Sequence, residues 1–155
     1  GVGDPADLVT LIDSAIADNP ENVDLWFGRG RIFYALKNYD ESIASFKKVV
    51  ELKPDLFEGN YYLGVFYTIK ADEMNKVMNE KQYSSQTAYD TDLKEVNAVY
   101  MDDVPWFEKA YELKKDDVNT LDFLKSICFR LRDEEGMMDK YNKYNTLLKE
   151  AKGEE

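Results

Sequence analysis

The chain has no histidine in 155 residues. That absence removes imidazole-based acid–base catalysis, Ser–His and Cys–His nucleophile pairs and every His-containing zinc site. A single cysteine, Cys128, cannot close an internal disulfide. No apolar run approaches the roughly 18 residues of a membrane span. Basic residues are the scarcer sign, 20 against 31 acidic, for a net charge of −11. Nucleic-acid phosphates and anionic membrane surfaces would be repelled by such a chain. The opening GVGDPAD has neither an initiator methionine nor a signal peptide, so the start is expected to be processed or trimmed.

What is present is apolar and aromatic, 44% and 14% of residues, enough for one domain with a real core. Apolar residues recur at helical spacing nearly throughout, which predicts an all-α fold. Pro20 and Pro54 are 34 residues apart. Between them lie Trp26, Gly30, Phe33, Tyr39, Ser42 and Phe46. This interval and pattern resemble a tetratricopeptide repeat, a pair of antiparallel helices stacked into a solenoid. In this reading Gly30 lets the two helices approach closely, Trp26, Phe33 and Phe46 fill their seam, and Pro54 sets the turn. Arg29 and Lys37 depart from the pattern, standing where the family prefers Leu and often Gly.

A second repeat opens at Phe57 with Leu63, Gly64 and Tyr67 in place and Asn60 where the tryptophan belongs. Its second helix comes late. The stretch SFKKVVELKPD is echoed by WFEKAYELKKD, but Phe46 and Phe107 are 61 residues apart, a surplus of 27 over the 34-residue repeat. Stripes through Tyr67, Met74, Val77 and Met78, and back through Val104, Tyr100, Val96 and Leu93, predict that the surplus lengthens both helices into a protruding hairpin. About 13 added residues per arm would project roughly 20 Å. The turn is expected within KQYSSQTAYDTD, and Pro105 should bend the returning helix without breaking it.

About seven helices are therefore expected in a single domain over 1–155. A lone helix spans 4–19, capped by Asp4 with Pro5 at its first position and Leu8, Ile12 and Ala15 as its buried stripe. Repeat one covers 22–54, repeat two 55–116 with the hairpin at about 70–103, and repeat three 117–151. The third repeat has Val118, Leu121, Leu124 and Cys128 on the seam and Tyr141 and Tyr144 inward. A half-repeat at the start implies a fragment of a longer protein. Lengthened hairpins are similar in several exported bacterial members of the family, which points to an exported or periplasmic protein, with the cytoplasm as alternative.

The acidic clusters at 90–92, 102–103, 116–117 and 133–135 lack the glycine and spacing of a calcium loop and read as helix caps and first-turn charges. No cofactor, metal or catalytic set is indicated. The resemblance implies instead a concave groove lined by the first helix of each repeat. Its candidates are Phe27, Arg31 and Tyr34, then Glu58, Tyr61, Val65 and Thr68, then Asp122, Ser126, Phe129 and Arg130. Aromatic anchors would supply energy, and Arg31 and Arg130 would pair a partner's carboxylates. Family members that clamp a C-terminal carboxylate use Lys, Asn and Arg where this chain has Phe27, Arg31, Tyr62, Asn119 and Phe123, so that ligand is not expected. The expectation is a non-catalytic scaffold for a protein or peptide, monomeric or weakly dimeric. The alternative is a self-assembly segment that docks through the Met74, Met78, Val96 and Tyr100 stripe of the hairpin.

Overall fold

In the computed structural model, which describes residues 3–154, side-chain caps explain where most helices start. Helix α1 (Pro5–Asp18) begins where Asp4 accepts from the Ala6 amide at 3.0 Å, with proline at the first position. Asn22 caps α2 (Val23–Ala35), Asn38 caps α3 (Tyr39–Leu52) and Asp117 caps α6 (Val118–Arg130) in the same way. Ser85 caps α5 (Gln86–Leu113), which follows α4 (Phe57–Glu80). Gly136, at φ 78°, takes the left-handed turn that admits α7 (Met137–Ala151). All regular structure among the described residues is helical.

Neighbouring helices pack in sequence, α1 on α2, α2 on α3, and so on to α7. Two glycines fix the tightest contacts. A Cβ on Gly30 would lie 2.3 Å from the Phe46 ring, and one on Gly64 would lie 2.8 Å from the Phe107 ring. Both rings are fully buried. Each removes aromatic surface worth roughly 2–3 kcal/mol from water. The late echo of the sequence thus has a concrete meaning. Both Phe residues sit on the glycine of their own pair, although one is 16 residues away and the other 43.

The departures from the repeat pattern are accommodated by polar contacts. Trp26 Nε1 donates to the Pro20 carbonyl at 2.7 Å. Thirty-four residues on, the buried Asn60 donates through Nδ2 to the Pro54 carbonyl at 3.0 Å, so a different side chain ties down the equivalent turn. Arg29 lies in the seam of α1, α2 and α3. Its guanidinium pairs with Asp13 at 2.8 Å and Glu41 at 3.0 Å, donates to Ser45 Oγ at 2.8 Å and lies 4.6 Å from the Phe33 ring centre. Lys37 holds φ at 58°, the conformation for which the family's glycine is suited.

Helices α4 and α5 have 24 and 28 residues, against 13 to 15 for the others. They run antiparallel, with Gly64 against Phe107, Asp72 against Tyr100 and Lys81 against Asp92 in turn. Their connection is shorter than the expected KQYSSQTAYDTD turn. Only 81–85 lie between the helices, because Ser85 Oγ accepts from the Ala88 amide at 3.1 Å and starts α5 there. Residues 131–136, which include the acidic cluster at 133–135, form the α6–α7 turn. Helix α5 runs through Pro105 without interruption. Met78, Val96 and Tyr100 are buried and Met74 partly so, and the hairpin consumes most of its own stripe.

Candidate functional site

Helix α4 stands between α2 and α6, and a cleft opens on either side of it. The first, of about 620 Å³, is walled by Phe27, Arg31 and Tyr34 from α2 and by Glu58 and Val65 from α4, with Phe46 as floor. Tyr62, Phe66 and Ile69 complete it. Ring contacts shape this wall: Phe27 lies 4.7 Å from Phe46 and 5.9 Å from Tyr62, and Tyr34 lies 5.6 Å from Phe66. Tyr34 and Tyr62 remain 47% and 39% exposed, apolar area that the fold leaves open to water. The side chains of Arg31 and Glu58 make no hydrogen bond or ion pair with any described residue.

The second cleft, of about 310 Å³, has more charged and hydroxyl side chains among its lining residues. Thr68 and Asp72 of α4, Tyr100 of α5, and Asp122, Phe123, Ser126 and Arg130 of α6 line it. Arg130 lies 4.5 Å from the Tyr100 ring centre and donates to Asn75 Oδ1 at 2.8 Å, and no carboxylate of the described residues lies within ion-pair distance of it. Its buried Nε has no acceptor among the described residues. Tyr100 donates to Asp72 at 2.5 Å, and burial followed by that bond pushes the phenol well above its ordinary range.

Two expected groove residues lie elsewhere. Tyr61 forms the packed ridge between the clefts, its ring 5.4 Å from Phe57, 5.9 Å from Phe107 and 6.1 Å from Phe123. Phe129 lines neither cleft. It packs 5.1 Å from Tyr141 of α7 with the Arg132 guanidinium over it, because α6 turns that residue toward its partner helix. Phe66 and Ile69 were not among the expected groove residues and Tyr62 entered only as a mismatched clamp position, although steps of four and three from Glu58 through them mark one helix face. Tyr100 had no comparable signal, since only the length of the inserted hairpin brings it opposite Asp72.

The expectation that Asp102–Asp103 is a cap or first-turn pair fails. Both lie mid-helix in α5, and Asp103 is 0% exposed. Thr68 Oγ1 bonds both the Gly64 carbonyl, at 3.1 Å, and Asp103 Oδ2. One hydroxyl has one proton and cannot serve both acceptors fully, and a protonated Asp103 carboxyl would supply the second bond by donating to Thr68. Burial, the largest cause, and the charge of Asp72 raise the Asp103 pKa to about 8, and Thr68 opposes them only where its hydroxyl donates to the carboxylate instead. Asp90 and Asp92 are likewise helical, and Asp92 pairs with Lys81 at 2.9 Å. Cys128 is fully buried, and burial raises its thiol to about 11.

Residues 2–56 match the tetratricopeptide repeat family model. The structure is similar to that of MamA (MSR-1 C2) at 17% identity, covering 94% of this chain and 68% of that one, with a TM-score of 0.61. PilW, a widely conserved type IV pilus biogenesis factor, aligns over 97% of this chain and 71% of its own at 15% identity, TM-score 0.38. YrrB, a tetratricopeptide protein with an unusual peptide-binding site, aligns over 90% and 74% at 18% identity, TM-score 0.36. No curated protein matches the sequence. The fold is that of a tetratricopeptide-repeat protein.

Proposed function

We propose that this chain is a non-catalytic protein–protein interaction scaffold that captures an extended or helical peptide segment across α2, α4 and α6. The observation that carries the reading is the open aromatic wall of the first cleft, where Tyr34 and Tyr62 stay exposed beside an unpaired Arg31. Large rings held by neighbouring rings lose little freedom on binding and bury much area, which is the character of binding hot spots. Arg31 at one cleft and Arg130 at the other have no carboxylate partner among the described residues, in a chain rich in acidic side chains. Both are positioned to receive acidic groups of a partner. The segment would therefore carry an apolar or aromatic side chain with acidic neighbours.

Panning a displayed library of random peptides against the folded chain tests this. Selected peptides should share that chemistry and lose on the order of 30-fold in affinity on the double substitution Tyr34→Ala, Tyr62→Ala. Phe129→Ala should leave affinity unchanged. Peptides that bind both variants as tightly as the parent would place capture on another surface.

A further inference from the structure

Asp103 and Ser42 hold the same place in their helix pairs, each four residues before the Phe that packs on the pair's glycine. Ser42 Oγ donates directly to the Gly30 carbonyl at 3.0 Å. At the second pair the equivalent Gly64 carbonyl is reached through Thr68, and Asp103 holds Thr68. A serine would suffice there, yet the chain buries a carboxyl whose second oxygen, Oδ1, has no partner among the described residues. The charged and titratable groups around it are Asp72 from α4, Tyr100 from its own helix and Arg130 from α6. No cation among the described residues bonds to Asp103, and Arg130 reaches Asn75 and the Tyr100 ring instead of its carboxyl. Thr68, Asp72, Tyr100 and Arg130 are also walls of the second cleft.

We propose that one proton on Asp103 sets the state of this cleft. With the proton in place, the carboxyl ties α5 to α4 through Thr68 and holds the cleft wall. Without it, Thr68 must turn its single hydroxyl proton to the carboxylate and release the Gly64 carbonyl. The unpaired negative charge then lies buried beside Asp72 and loosens the α4–α5 packing there. Partner capture at the second cleft is in this way linked to pH. This consequence rests on the peptide-binding reading, whereas the proton lock itself does not.

The sign follows from the bound proton. Between the unfolded carboxyl's range near pH 4 and about pH 8, the native state holds a proton that the unfolded chain has lost. Stability from this group is therefore fully present below about pH 4 and is lost as pH rises toward 8. The test is a titration of the carboxyl carbons of ¹³C-labelled aspartate by NMR from pH 3 to 9, with pH-corrected amide exchange over residues 64–72 and 100–107. The Asp103 resonance should titrate several units above the other aspartates, and exchange protection in both segments should fall at least tenfold across the same range. In Asp103→Asn, whose amide can donate to Thr68 permanently, that fall should vanish. Asp103→Ser, which copies Ser42, is the second variant and should behave likewise. An ordinary carboxyl titration would overturn the lock, and so would protection that falls equally in both variants. Neither result touches the peptide-binding reading, which fails only if peptide capture ignores the first cleft.

Discussion

Single residues show where this chain departs from an idealised repeat and what compensates. Lys37 adopts a left-handed backbone at φ 58°, ending the α2–α3 connection where no side chain is needed. A Cβ in that region costs on the order of 1 kcal/mol, and glycine avoids it while losing some unfolded-state advantage. Lys37→Gly should therefore raise stability by roughly 0.5–1 kcal/mol, a melting shift of about 1–4 °C for a chain this size, readable by thermal circular dichroism. A fall in melting temperature would mean that the exposed lysine makes a contribution its geometry does not suggest. The departures at Arg29, Lys37 and Asn60 were legible as mismatches to the repeat. Their compensations were not, because Asp13, Glu41 and the Pro54 carbonyl meet them only after folding.

Among the elements, α1 is the most lightly held. It packs on α2 alone among the neighbours with extensive contact, its deepest residue is Ile16, and Leu11 is largely exposed. The Arg29 seam adds the polar connection to Asp13. Arg29→Ala should thus speed hydrogen exchange throughout α1 by more than tenfold while α4 to α7 keep their protection. Uniform acceleration across all helices would instead make α1 part of one cooperative unit. Helices α4 and α5 are the opposite case. Their ends could be placed only within several residues by periodicity, since the polar stretch after Lys81 looked like turn throughout. The Ser85 cap, the Lys81–Asp92 pair and the Tyr83–Tyr89 ring contact convert most of it to helix.

For the whole molecule, charge and connectivity decide behaviour. A net charge of −11 opposes the approach of copies near neutral pH, and the sequence isoelectric point is about 4.5. Light scattering should give a monomer near 18 kDa at pH 7.5 and growing mass as pH falls toward 4.5. A stable dimer at pH 7.5 in moderate salt would show that an apolar contact overrides the repulsion. The helical class, the 34-residue interval, the displaced echo and the lengthened α4–α5 pair all came from the linear sequence. Each rests on local periodicity or on spacings that any chain must satisfy to put an aromatic on its glycine. Which groove candidates share a cleft, the packing of Tyr61, the turning away of Phe129 and the proton held by Asp103 were decided only in three dimensions. Burial, ring packing and dielectric are set there by residues of other helices, from Tyr141 beside Phe129 to Phe123 beside Tyr61, and local periodicity does not encode those meetings.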